Sequence, residues 1–136
     1  MRDISYTDKI VIIDFGAQTT QLIARRIREL GVYCEIISCY KTKDLKNDYN
    51  LKGIILSGGP LSITKTSYLG IPKQILNFNK PILGICYGHQ LLAKEFGGVV
   101  KNYKKSEFGR CDIFSNKPSI LTKNFFNKDK KTQVWI

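Results

Sequence analysis

The stretch Lys80–Phe96, K-P-I-L-G-I-C-Y-G-H-Q-L-L-A-K-E-F, decides how the chain is read. Pro81 to Ile85 is a short apolar run suited to a buried strand. From His89 to Phe96 the spacing is helical, with Leu91, Leu92 and Phe96 on one side. Between them lies G-x-C-x-G, Gly84 through Cys86 to Gly88, the cysteine form of a nucleophile elbow. Flanking glycines let the backbone bend sharply, so the Cys86 side chain stands exposed at the strand's end. The helix that follows presents free N–H groups and its positive dipole end to the sulfur, an arrangement that favours thiolate over thiol. A buried structural cysteine needs no glycine on either side of its turn. The pattern predicts Cys86 as a nucleophile.

Upstream, Lys9–Asp14 (K-I-V-I-I-D) is a continuous apolar run of the kind buried on both faces of a parallel sheet. It opens onto F-G-A-Q-T-T, where Thr19 or Thr20 would cap a helix. That helix is predicted to run to about Leu30, with Ile23, Ile27 and Leu30 as its stripe and Gly31 as its C-terminal cap. Tyr33–Ser38 is a second strand. A lysine-rich link, Lys41 to Asn50, leads to a third, Gly53–Leu56, then Ser57-Gly58-Gly59-Pro60 and a loop to about Tyr68. A helical segment follows near Pro72 to Phe78, Pro72 suiting its first turn. Strands alternating with helices through short links predict an α/β fold with an open, mostly parallel sheet flanked by helices. Its core strands are expected at Ile10–Asp14, Cys34–Ser38, Ile54–Leu56 and Ile82–Ile85. Further on, Gly97–Val100 and Glu107–Phe114 read as short strands of an antiparallel extension. Lys123–Lys131 reads as polar surface, and Gln133–Ile136 as the start of another strand.

Composition narrows the classes. A length of 136 residues is one domain or most of one, and 43% hydrophobic with 24% charged residues is ordinary for a globular protein. No apolar run approaches the ~20 residues of a membrane span, and the start, M-R-D-I-S-Y-T-D, lacks a signal-peptide core. A cytoplasmic location and no membrane partner are expected. The net charge of +11 comes from basic residues scattered along the chain, mostly lysine, without interleaved aromatics. It reads as a solvated surface, not a nucleic-acid interface. The four cysteines, Cys34, Cys39, Cys86 and Cys111, form no C-x-x-C pair, and with a single histidine no metal site is expected.

In an open α/β sheet the site lies outside the carboxyl ends of the strands. Acyl chemistry at Cys86 creates an oxyanion that needs two N–H donors. The N–H of Tyr87 is one natural donor, and Gly59 in the S-G-G-P loop is expected to be the second. A cysteine nucleophile also needs a base. His89, one helical turn along the elbow helix itself, is better read as holding the elbow loop by hydrogen bonds. Asp14 is better read as orienting neighbouring loop backbone than as a general base.

G-I-C-Y-G-H-Q, with S-G-G-P before it and I-V-I-I-D-F-G-A-Q near the start, resembles the class I (triad) glutamine amidotransferase family over nearly the whole chain. The resemblance implies a flavodoxin-like fold in which residues 1–136 form a C-terminally truncated amidotransferase domain. It implies that Cys86 attacks the carboxamide of glutamine, releasing ammonia and leaving a glutamyl thioester for water to hydrolyse. Gly59 and Tyr87 match the family's oxyanion-hole positions, and Gln90 matches a position that contacts the glutamine. The ammonia would pass to a separate ATP-pyrophosphatase domain, with ATP and magnesium, in an enzyme expected to be a homodimer. That domain and a dimerisation domain are absent from these residues. Leu61 stands where the family's loop carries a glutamate. The family's histidine and glutamate bases match no residue here, His89 included, so little turnover is expected of this chain alone. Two other readings fit the same motifs: a catalytically silent remnant or regulatory module, and the glutaminase subunit of another biosynthetic amidotransferase.

Overall fold

The computed structural model describes residues 8–60, 62–63, 69–102, 108–117, 119–126 and 131–136. Leu61, the loop approaching Tyr68, and Glu107 at the start of one expected strand lie outside them. The chain divides into two compact units, Met1–Lys101 and Asn102–Ile136.

The first unit is built on four parallel strands: β1 (Lys9–Asp14), β2 (Tyr33–Ser38), β3 (Leu51–Leu56) and β4 (Ile82–Gly84), in the order β2-β1-β3-β4. All four expected strands are present. Side chains of a strand alternate between faces, and here both faces are apolar. Ile10 and Ile12 of β1 join Cys34, Ile36 and Ile55 under helix α1 (Thr20–Glu29), which contributes Ile23, Ala24 and Ile27. Val11 and Ile13 point the other way. They pack with Ile54 and Leu56, with Ile75 of the short helix α2 (Lys73–Leu76), and with Tyr87 and Leu91 of α3 (Tyr87–Glu95). A sheet buried on both sides explains why β1 reads as an unbroken apolar run.

Several local expectations need correction. Leu30 and Phe96 do not continue their apolar stripes: both are the C-cap residues of their helices, past the last regular turn, and are 81% and 78% exposed. Ala24 fills the place on α1 instead. Gly97–Val100 is not a strand. Gly97, at φ 83°, donates to the Lys94 carbonyl and Gly98 to that of Ala93, the paired bonds of a Schellman motif that closes α3. Gly31, at φ 76°, closes α1 in the same way, as expected. Thr19 occupies the N-cap of α1 but makes no side-chain cap bond. Pro72 is the N-cap of α2 and precedes its first turn. The lysine-rich link contains a 3₁₀ turn, Lys43–Asn47, which buries Leu45.

In the second unit β5 (Arg110–Phe114) pairs antiparallel with β6 (Lys131–Trp135) as a two-stranded sheet of its own, not as an extension of the main one. Reciprocal bonds between Gly109 and Ile136 close one end, and Lys131 reaches Asp112 at 2.7 Å.

At the amino end of β1, away from the loops that follow the strands, the Lys9 ammonium lies 2.8 Å from Glu35 and 2.7 Å from Asp48. Burial alone would lower the Lys9 value, but the hydrogen bonds and charges of the two carboxylates outweigh it and hold the ammonium above its usual range. Burial likewise opposes ionisation of Asp48, and the bonds from Lys9 and from the Asn50 and Leu51 N–H groups overcome it, so that carboxyl sits below its usual range. The signs fix the window. The Asp48 contribution is complete above the unfolded value of about 3.9 and is lost as pH falls through the lower folded value. The Lys9 contribution is complete below about 10.4 and is lost as pH rises through the higher one. Replacing Lys9 by Met is expected to cost about 1–2 kcal/mol at pH 7, between an exposed and a buried pair. The gap between parent and variant should narrow at pH 3 in thermal melts followed by circular dichroism. A gap equal at both pH values would show that the ion pairs contribute nothing.

Candidate active site

Three loops meet at the carboxyl ends of β1, β3 and β4. The chain passes from β1 to β2 on one side, then returns to β3 on the other. The crevice between β1 and β3 is therefore the switch point at which such sheets bind ligands.

Ile85 donates to the Leu56 carbonyl and so extends the β4 pairing by one bond. Cys86 then turns the chain with φ 53° and ψ −112°, a conformation that costs a residue with a Cβ about 1–3 kcal/mol. The glycines on either side allow that turn because nothing larger fits. A Cβ on Gly84 would lie 2.6 Å from the Gly88 carbonyl oxygen and the His89 nitrogen, and one on Gly88 would overlap the Leu56 carbonyl. Cys86 is the N-cap of α3 and is exposed.

The S-G-G-P loop lies against this turn. A Cβ placed on Gly58 would be 3.6 Å from that of Cys86 and 3.5 Å from that of Ala17, so Gly58 sits between the loops after β1 and β4. Gly59 packs on Tyr87, a built Cβ coming 3.4 Å from the Tyr87 ring and 2.9 Å from the Phe15 carbonyl oxygen. The two residues expected to supply oxyanion donors are therefore neighbours. Among the described residues the Gly59 N–H has no hydrogen-bond acceptor.

Tyr87 also contributes more than its backbone. Its buried ring meets Phe15 edge-on at 5.6 Å, and its hydroxyl donates to the Leu69 carbonyl at 2.6 Å, tying the loop before α2 to the elbow. Gln90 is half-buried, one turn from Cys86 on the same helical face, and its N–H donates to the Cys86 carbonyl. Asp14 orients the loop after β1: one carboxylate oxygen accepts from the Gly16 N–H and from the Thr20 hydroxyl, both at 2.9 Å. His89 departs from expectation. Its side chain is exposed and makes no hydrogen bond among the described residues, because α3 turns Gly88 and Leu91 toward the sheet and leaves position 89 outward. No cluster of three potential metal ligands occurs among the described residues, and none of their helices is long and apolar enough to cross a membrane.

The four thiols differ in access. Cys34 is buried with its sulfur 3.5 Å from the Ala24 carbonyl oxygen, and Cys39 and Cys111 are half-buried. Burial pushes the Cys39 thiol up, with the nearby Asp14 carboxylate adding to it. Cys86 is expected to be alkylated first by limiting iodoacetamide, with Cys34 last, reacting only through opening of the core. Peptide mass spectrometry reads the order, and prior modification of Cys34, Cys39 or Cys111 would contradict it.

Fold and site together define a doubly wound α/β protein carrying a cysteine on a strained strand-to-helix elbow beside a glycine loop. The chain belongs to the class-I glutamine amidotransferase family, which matches residues 11–136. It is 46% identical over its full length to the glutamine-hydrolysing GMP synthase of Agrobacterium fabrum, and 45% identical over 121 residues to that of Coxiella burnetii. The chain spans 26% of the Agrobacterium protein and 23% of the Coxiella protein. Among solved structures, a GMP synthase component from Thermoplasma acidophilum superposes with a TM-score of 0.74 at 28% identity, over 96% of this chain and 64% of that one. The chain is thus a glutamine amidotransferase domain homologous to that of GMP synthase.

Proposed function

We propose that Cys86 attacks the side-chain carboxamide of glutamine. The sulfur–carbon bond forms as the carbonyl oxygen takes up the negative charge, facing the N–H groups of Gly59 and Tyr87. Collapse breaks the carbon–nitrogen bond, and the nitrogen leaves as ammonia once a proton is delivered to it. Water then attacks the γ-glutamyl thioester, giving glutamate and restoring the thiol. Gln90, on the Cys86 face of α3, would contact the bound glutamine. The observation that carries this reading is the positive-φ cysteine, held between two glycines too crowded to be anything else, with the S-G-G-P loop packed against it.

The relatives named above are GMP synthases, so the ammonia would serve amination of XMP to GMP in an ATP-using synthetase partner. ATP and magnesium would belong to that partner, making the whole reaction a ligation in an assembly expected to be a homodimer. The proton delivery and water activation would come from a histidine and a glutamate outside these residues. The test is trapping with an electrophilic glutamine analogue. One adduct on Cys86, prevented by excess glutamine and absent from Cys86→Ser, is expected. Labelling spread over several cysteines and indifferent to glutamine would overturn the reading.

A further inference from the structure

Ser57 stands at the junction of all three loops. Its N–H donates to the Ile13 carbonyl at the end of β1, and its own carbonyl accepts from Gly88 at the start of α3. Its side chain is wholly buried. The hydroxyl accepts from the Phe15 N–H at 3.2 Å and donates to the Gly58 carbonyl at 2.9 Å. A hydroxyl has one hydrogen, and here it goes to Gly58.

That carbonyl shares a planar peptide unit with the Gly59 N–H, and in a trans peptide the two point in opposite directions. Fixing one therefore fixes the other. The link joins two glycines, where no Cβ opposes rotation of the plane, so sterics alone leave its orientation open. We infer that Ser57 is a positioning residue for the proposed reaction: by holding the Gly58 carbonyl inward, its hydroxyl keeps the Gly59 N–H aimed at the oxyanion. This rests on the reading of Gly59 as a donor. It adds what that reading lacks, a cause for the orientation of the peptide.

An aryl γ-ester of glutamate isolates the step. The Cys86 sulfur bonds to the ester carbonyl, an oxyanion forms, and the phenolate departs carrying its own charge, so no proton need be delivered. The burst of phenolate measures acylation. Iodoacetamide alkylates the same sulfur by displacement without any oxyanion and serves as control. Losing an oxyanion donor outright costs about 10²–10³ in rate. Loss of its tether in Ser57→Ala should slow acylation at saturating ester about tenfold or more. The half-saturating concentration and the iodoacetamide rate should hardly change. In nitrogen-resolved NMR the Gly59 amide should shift or broaden while those of Val11 and Leu91 stay in place. Ser57→Cys, with similar volume and a weaker donor, should fall between. If Ser57→Ala does not fold, that cysteine variant decides: slowing of about threefold with unchanged alkylation supports the inference, and parental acylation overturns it. Acylation unchanged in Ser57→Ala sinks the inference and leaves the proposed function standing. A parent chain that is not acylated removes both.

Discussion

Gly88→Ala is expected to leave little or no stably folded protein. A methyl group there would overlap the Leu56 carbonyl oxygen and lie 2.6 Å from the Leu56 Cβ. Neither obstacle can rotate away, since both belong to the end of β3, where Leu56 is fully buried and its carbonyl already accepts from Ile85. Overpacking of mobile side chains costs about 1–3 kcal/mol, and a backbone obstacle should exceed that. Against a total stability of about 5–15 kcal/mol this is a large fraction, equivalent to a fall on the order of 10 °C in thermal midpoint. Gly70→Ala is the control: a Cβ there meets nothing within 4 Å, so its melt should stay within about 0.5 kcal/mol of the parent. Should Gly88→Ala melt with the parent, α3 does not pack on β3 as described.

Trapping and turnover should separate. An electrophilic glutamine analogue needs only the thiol, the glutamine contacts and the oxyanion donors. Release of ammonia also needs a proton for the leaving nitrogen, and thioester hydrolysis needs a base for water. General acid–base help of this kind contributes about 10²–10⁴-fold. The one histidine of the chain is on the elbow helix, exposed and directed away from the sheet. The 136 residues by themselves are therefore expected to label at Cys86 yet release ammonia some hundredfold or more below an intact relative. Adding in trans the following segment of a relative, with its histidine and carboxylate, should restore release if the pieces associate. Steady ammonia release by the chain alone, lost in His89→Ala with the fold intact, would make His89 the base and refute the assignment.

Much of this was legible in the sequence because parallel strands buried on both faces read as unbroken apolar runs. The glycines around Cys86 announced crowding that the structure locates at Leu56 and at the Gly88 carbonyl. Terminal positions misled where a residue continues a helical spacing after its helix has stopped, as Leu30 and Phe96 do. Gly97-Gly98-Val99-Val100 looked like a strand start since two valines favour extended backbone, but the glycines before them terminate α3. Ser57 passed as one letter of a turn motif. A hydroxyl at the buried end of an apolar strand was the available signal, and its two partners, Phe15 and Gly58, depend on how the loops meet in space.

The strand order has a bearing on how the sheet is assembled during synthesis. β1 leaves the ribosome first and becomes the centre. β2 is laid on one side of it, β3 on the other, and β4 beyond β3. Every later strand thus finds its parallel neighbour already made, and none has to be inserted between two strands that have closed on each other. Domains generally fold as units as the chain emerges, and here the elbow cysteine is the last part of that sheet to arrive. Its strained turn forms only when the S-G-G-P loop, against which it must pack, is in place.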